Sequence, residues 1–260
     1  MTVVRYYTTT SGVQSAQYLR DHMQGIATKA GRNDVNCTLF QHSWAQPTVV
    51  CRIEGQGALA SEIVLTGAHL DSLNSRAVPD GVAPGADDDA TGIASFVETF
   101  RILVESGFRP QRSIEFAGYA AEEVGLRGSQ DMARVYVSQG KNVYAVYQNE
   151  MSGYIENSAS VTILQDYVDQ ALTRFVESLV DTYLDIPYTR AVCGYGCSDH
   201  ASWNSLDIPT VCTAEAGPFG DVNPNMHTAQ DTLDKLDMDF TAEFARLALA
   251  FVVELSLHNE

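Results

Sequence analysis

Histidines and carboxylates recur along this chain just after stretches that read as β-strands. EIVLTGAHL at 62–70 ends in His69, with Asp71 two residues on and able to orient its imidazole. GADDDATG then presents Asp87, Asp88 and Asp89 where a helix opens, and RSIEFAGYA at 112–120 is followed by Glu122 and Glu123. VYAVYQNEM at 143–151 carries Glu150, and His227 lies in the loop NPNMHTAQDT. Each feature has a bland explanation: a lone loop histidine is usually hydrogen-bonded structure, paired glutamates a solvated face, and an acidic run a helix cap. Their joint occurrence at one edge of a sheet is harder to dismiss, because clustered negative charge is destabilising unless cations neutralise it. Imidazole with carboxylate suits zinc, with manganese or cobalt close behind. The candidates exceed what one catalytic zinc with an open position needs, whereas two metals sharing a bridging carboxylate would use them. Spacing alone does not choose among Asp87, Asp88 and Asp89. A G-x-S-x-G elbow and an H-E-x-x-H helix are both absent, which disfavours serine nucleophiles and the helical zinc-protease motif.

The elements that must position these residues alternate. Val13, Ala16, Leu19, Met23 and Ile26 recur at helical spacing, predicting an amphipathic helix over 12–30 after Thr10-Ser11. Strands are expected at 49–55, 62–70, 112–120, 143–151, 161–165 and 208–215. Helices are expected from Thr91 to Ser106, from Glu122 to Gln139, and at 166–184, 199–205 and 240–257, with a loop over 71–90. This pattern implies an α/β fold, a mostly parallel twisted sheet sandwiched between helices. Ligands bind such sheets beyond the carboxyl ends of the strands, where the histidines and carboxylates lie.

A chain of 260 residues that is 45% hydrophobic can bury a large core, and residues 1–260 are expected to form a single domain. Acidic residues outnumber Lys and Arg by 33 to 16, a net charge of −17, which repels phosphate backbones and anionic lipid. Nucleic-acid and membrane partners are therefore not expected, and no run approaches the roughly 18 apolar residues of a membrane span. The opening TVVRYYTTTSG has no signal-peptide core, and a leader or prosegment is expected to have preceded it. Cys193 and Cys197, in the Gly-rich CGYGC, read as a disulfide or two free thiols rather than a metal site. Cys37 and Cys51 flank a hairpin-like stretch and can form a second bridge, leaving Cys212 over. Disulfides would mean an oxidising compartment, compatible with the sequon Asn36-Cys37-Thr38.

HLDS, VAPGADDDATGIA, GYAAEEVGLRGSQD, GKNV, CGYGCSDHASW and HTAQDTL together resemble the secreted, co-catalytic dizinc aminopeptidases of the Vibrio leucyl aminopeptidase type, from about residue 6 to the final helix. The resemblance implies an enzyme with two Zn2+ per chain that hydrolyses N-terminal residues, often large and apolar, from peptides with a free N-terminus; a monomer is expected, although the sequence does not itself reveal the oligomeric state. It implies that His69 binds one zinc with Glu123, that His227 binds the other with Glu150, and that Asp88 bridges them, the following peptide bond being cis. It also implies Glu122 as the general base acting on a dizinc-activated water, with Asp71 behind His69. Met151, Tyr195, Phe219, Val222 and Met226 are the candidate side-chain pocket, partly by resemblance, although plain core is as good a reading for each. Glu150 departs from the family pattern, which has Asp there, so its carboxylate must retract, bind differently or shift the second metal. The alternatives are a glutaminyl cyclase-like single-zinc acyltransferase and a non-enzymatic binding domain, the latter expected to have lost ligands.

Overall fold

A computed structural model describes residues 4–217 and 222–258. The chain runs α1 (Thr10–Lys29), β1 (Val35–Phe40), β2 (Thr48–Ile53), β3 (Glu62–His69), α2 (Ala90–Glu105), β4 (Ser113–Tyr119), α3 (Arg127–Ser138) and β5 (Asn142–Glu150). It continues with β6 (Val161–Leu164), α4 (Gln170–Tyr183), β7 (Tyr188–Ala191), α5 (His200–Asn204), β8 (Thr210–Ala214) and α6 (Met238–Leu257). The strands form one sheet in the order β1-β2-β4-β3-β5-β8-β6-β7. The centre, β4-β3-β5-β8, is parallel, β1 and β2 add antiparallel on one side, and β6 pairs antiparallel with β8 on the other.

β4 is buried along its whole length and β3 from Ile63 onward, as parallel strands covered on both faces must be. Phe96, Phe100, Leu103, Phe244, Leu247 and Phe251 of α2 and α6 share one core with Val64, Phe116 and Tyr147, and α1 and α4 close the same side. On the opposite face Met132, Ala133, Tyr136 and Trp203 of α3 and α5 pack on Leu65, Tyr119 and Val146. The expected α/β sandwich is therefore present.

The differences from the sequence pattern are local. β1 and β7 were not foreseen as strands: both lie at the sheet's edges and lack the long apolar run of a strand buried on both faces. The helix expected from Glu122 begins instead at Arg127. Ala121, Gly125 and Leu126 all take left-handed φ values, and Glu122–Val124 form only a single 3-10 turn.

Candidate active site

β3 is flanked by β4 and β5, so their carboxyl ends lie together. His69 sits beside Tyr119 of β4, while Gly67 pairs with Gln148, so two residues further on both β3 and β5 end, in His69 and Glu150. His69 Nε2 is 2.8 Å from Asp88 Oδ1 and 3.4 Å from Glu150 Oε1. His227 Nε2 is 3.0 Å from Asp88 Oδ2 and 2.8 Å from Glu123 Oε2. One buried carboxylate thus turns an oxygen to each histidine. Two triads result, His69-Asp88-Glu150 and Asp88-Glu123-His227, each with its ligand atoms within 4.8 Å of one another. The pairing implied by the resemblance is exchanged: His69 goes with Glu150 and His227 with Glu123. Adjacent strand ends bring Glu150 to His69, whereas Glu123 lies four residues past β4, in the turn that reaches the His227 loop.

The acidic run sorts into three tasks. Asp89 caps α2, its Oδ1 accepting from the amides of Gly92 and Met151, each at 3.0 Å, and its Oδ2 from the amide of His69 at 3.0 Å. Asp87 accepts from the Gly153 amide at 3.0 Å and from Asn223 Nδ2 at 2.8 Å. Asp88 is left free to face the histidines, and the peptide after it is cis, as the resemblance implies. Asp231 fixes this segment by accepting from the amides of Asp87 at 3.0 Å and Asp88 at 3.1 Å.

Asp71 stands behind His69 and also serves the turn that follows β4. His69 Nδ1 meets the Asp71 carbonyl at 3.1 Å, with the carboxylate farther away at 3.7 Å. That carboxylate instead accepts from the amides of Glu122 at 2.9 Å and Glu123 at 3.3 Å. It therefore holds the turn that carries both glutamates. Non-glycine residues adopt left-handed φ at Ala121, Leu126, Met151 and His227, all at this edge. Such conformations cost of order 1–3 kcal/mol each and persist where surrounding contacts over-determine them.

The electrostatics of these side chains follow from this crowding. Burial, then the carboxylates of Glu150, Asp199 and Glu123, push Glu122 well above the usual carboxylate range despite the opposing pull of His69. Burial and Asp88 raise Glu123 to about 7. Burial disfavours a charged His227, but hydrogen bonds to Asp88 and Glu123 prevail and raise it to about 10. Burial likewise opposes ionisation of Asp88, yet contacts with His227 and His69 hold it below its ordinary value. Burial also disfavours a charged His69, but the charges of Glu150 and Glu122 and contacts with Asp71 and Asp88 raise it well above the ordinary imidazole range.

Beside the cluster opens a cavity of about 450 Å³ that Glu122 helps to line. Of the foreseen pocket residues, Met151, Tyr195, Val222 and Met226 line it, and Phe219 lies outside the described residues. Leu126, Leu164 and the Cys193–Cys197 disulfide complete an apolar wall. Cys37 and Cys51, opposite one another on β1 and β2, form the second disulfide, and Cys212 is free and buried.

The model of peptidase family M28 matches residues 48–252. The chain belongs to peptidase family M28. This M28 peptidase is 36% identical over 264 residues to leucine aminopeptidase 1 of Penicillium rubens, covering 97% of this chain and 68% of the relative. It is 39% identical over 264 residues to the probable leucine aminopeptidase 1 of Trichophyton verrucosum, covering 97% and 70%. The crystal structure of the LapA aminopeptidase of Legionella pneumophila superposes with a TM-score of 0.92 at 36% identity, covering 99% of this chain and 68% of that one.

Sequence reasoning missed several residues that shape this M28 site. Ser198 donates to Glu150 Oε2 at 2.5 Å, which occupies one oxygen of the longer side chain while the other faces His69. Arg5 donates to the carbonyls of Leu70, Pro84 and Gly85 and lies in the field of Asp88, Asp71, Asp89 and Asp231. Neither carries a sequence signal, since both act across long separations. Glu215 is different: it follows β8 at the carboxyl edge, so the strand-end rule applied to IPTVCTAE would have flagged it.

Proposed function

We propose that this enzyme is a dizinc aminopeptidase, hydrolysing N-terminal, large apolar residues from peptides. The observation that carries this is the division of the Asp88 carboxylate between two histidines, each backed by a glutamate. Two imidazoles and three carboxylates fit zinc by donor chemistry, and the crowded acids need compensating cations. His69, Asp88 and Glu150 would hold one ion, and Asp88, Glu123 and His227 the other. When bound, zinc supplies Lewis acidity towards the scissile carbonyl and lowers the pKa of water.

The remaining steps belong to the protein. Glu122 takes a proton from the attacking water and returns it to the leaving amine, a task suited to a carboxyl that burial raises well above the usual carboxylate range. Asp71 fixes the backbone of Glu122 and Glu123 so that base and ligand keep their separate directions. The apolar cavity receives the first side chain, and the acidic cluster favours a cationic N-terminus. The whole chain is read as one catalytic domain acting as a monomer. Secretion is supported by the two disulfides, which belong to an oxidising compartment. Among the described residues no helix is long and apolar enough to cross a membrane.

Elemental analysis of the purified protein, with leucyl amide hydrolysis before and after chelation and zinc return, tests this reading. About two zinc per chain, with activity that vanishes and recovers, is expected. One zinc with pyroglutamate formation and no hydrolysis would favour the cyclase reading, and no metal a binding domain.

A further inference from the structure

Between His69 and Asp88 the chain leaves the sheet edge at Leu70 and returns at Pro84 and Gly85, so two candidate ligands of one ion stand at the feet of a long loop. One side chain joins those feet. Arg5 Nε donates to the Leu70 carbonyl at 2.8 Å, its Nη1 to the Pro84 carbonyl, and its Nη2 to the Gly85 carbonyl at 3.0 Å. Among the described residues the guanidinium bonds only to these main-chain oxygens, although the charges of Asp88, Asp71, Asp89 and Asp231 all act on it. The backbone repeats the tie: the Arg5 amide donates to Ser72 Oγ at 3.0 Å, and Ser72 Oγ to the Ala83 carbonyl at 2.9 Å. Arg5 is itself anchored, because Nε2 of the buried Gln46 donates to its carbonyl and to that of Gly12 in α1, each at 3.2 Å. The fit at Gly85 is close. Its φ is +53°, and a Cβ there would come within 2.4 Å of the Asp88 carbonyl oxygen, 2.6 Å of Ser72 Cβ and 2.9 Å of Arg5 Nη2. The Gly85 carbonyl also accepts from the Ala90 amide at 3.2 Å, which joins Arg5 to the start of α2.

We propose that Arg5 is a positioning residue for the metal site, its guanidinium fork fixing the spacing of His69 and Asp88 and thereby strengthening zinc binding. This role deepens the dizinc reading and rests on it. Geometry favours the fork: three carbonyls from two separate segments match the fixed, planar donors of a guanidinium, whereas an ammonium is a single point of charge on a flexible stem. Charge and geometry then pull zinc affinity in opposite directions. A cation held beside the carboxylates repels incoming metal ions, so if charge were the whole contribution of Arg5, removing it would tighten zinc binding. Groups that orient metal ligands from behind have the reverse effect, and losing one weakens binding by about 10–100-fold. The larger effect belongs to the fork. His227 and Glu123 are not reached by these bonds, so the triad His69-Asp88-Glu150 bears the loss first.

Competition between the full-length chain and a chelator for zinc, in wild type, Arg5→Met and Arg5→Lys, tests this, with thermal melting recorded alongside. Met removes both fork and charge, and Lys keeps the charge without the fork. Both variants are expected to bind their weaker zinc about tenfold or more less tightly than wild type. Zinc affinity in Arg5→Met that is tighter than in wild type, or within about threefold of it, would overturn the proposal even if the melting temperature fell, because Arg5 would then be a counter-charge or a purely structural residue. Full recovery of wild-type affinity in Arg5→Lys would overturn it too, by assigning the effect to charge. That variant decides the matter if Arg5→Met fails to fold. Were wild type itself to take up no zinc, the dizinc reading would fail and this role with it, whereas normal uptake by wild type with unchanged affinity in the variants would remove the role of Arg5 alone.

Discussion

Glu122 and Glu123 are neighbours in sequence with different duties, because Asp71 holds both of their amides and so fixes the turn from which they diverge. Glu123 turns to His227, whereas Glu122 lines the cavity without an imidazole partner. Replacing Glu122 by Gln keeps the shape and removes the proposed base. The expected outcome is a fall in kcat of about 10²–10⁴-fold with zinc content and KM little changed. Steady-state kinetics with metal analysis check this, and a KM effect at constant kcat would assign Glu122 to binding instead. Glu150 makes a second test. Ser198 donates to one oxygen of its carboxylate, and the other faces His69. Glu150→Asp is expected to keep or raise activity, and a loss beyond about tenfold would count against Glu150 as a simple stand-in for Asp.

At the scale of elements, the amino end of α2 and the carboxyl ends of β3 and β5 are joined through Asp89. Its carboxylate caps α2 and also accepts from the amides of His69 and Met151, so it ties together the elements that carry Asp88, His69 and Glu150. Asp89→Ala loses a cap and two buried hydrogen bonds, a destabilisation of about 2–4 kcal/mol. The melting temperature should fall by several degrees, and scanning calorimetry would read it. An unchanged transition would mean that the three elements are held by packing alone. The turn before α3 shows where local reading fails. GYAAEEVGLRGSQD has a helix-like composition, yet the left-handed Ala121, Gly125 and Leu126 delay the helix to Arg127.

Over the whole molecule, a net charge of −17 coexists with a buried acidic focus at one sheet edge, and cations reconcile the two. In the metal-free chain the His227 proton is held up to about 10, against 6.5 for an unperturbed imidazole. The folded state therefore binds more protons than the unfolded state between these values. That contribution to stability is complete below about pH 6.5 and is lost as pH rises through about 10. Zinc must displace the same proton, so binding at neutral pH is expected to release protons and to strengthen as pH rises. Titration calorimetry in buffers of different ionisation enthalpy would measure this, and zinc uptake without proton release would contradict the charged-histidine description. Chelation should lower the melting temperature, most steeply at alkaline pH, where neither metal nor protons compensate the carboxylates.

Much of this was legible in the amino-acid sequence because it is local. Apolar runs mark where β3, β4 and β5 stop, and the residue after each stop lands on the ligand-binding edge wherever the strand sits in the sheet. His69, Glu122, Glu123 and Glu150 were therefore readable one at a time, and Cys37 and Cys51 as a pair across a hairpin. Which side chains meet is a property of strand order, which the tertiary structure decided. With β5 beside β3, His69 takes Glu150 and leaves Glu123 to His227. The same holds for the three consecutive aspartates: chemically identical in sequence, they differ only because Asn223 and Gly153 engage one and the amides of His69, Gly92 and Met151 another. Asp88 is left to the histidines by contacts formed between residues far apart in the chain, and periodicity along the sequence carries no record of those.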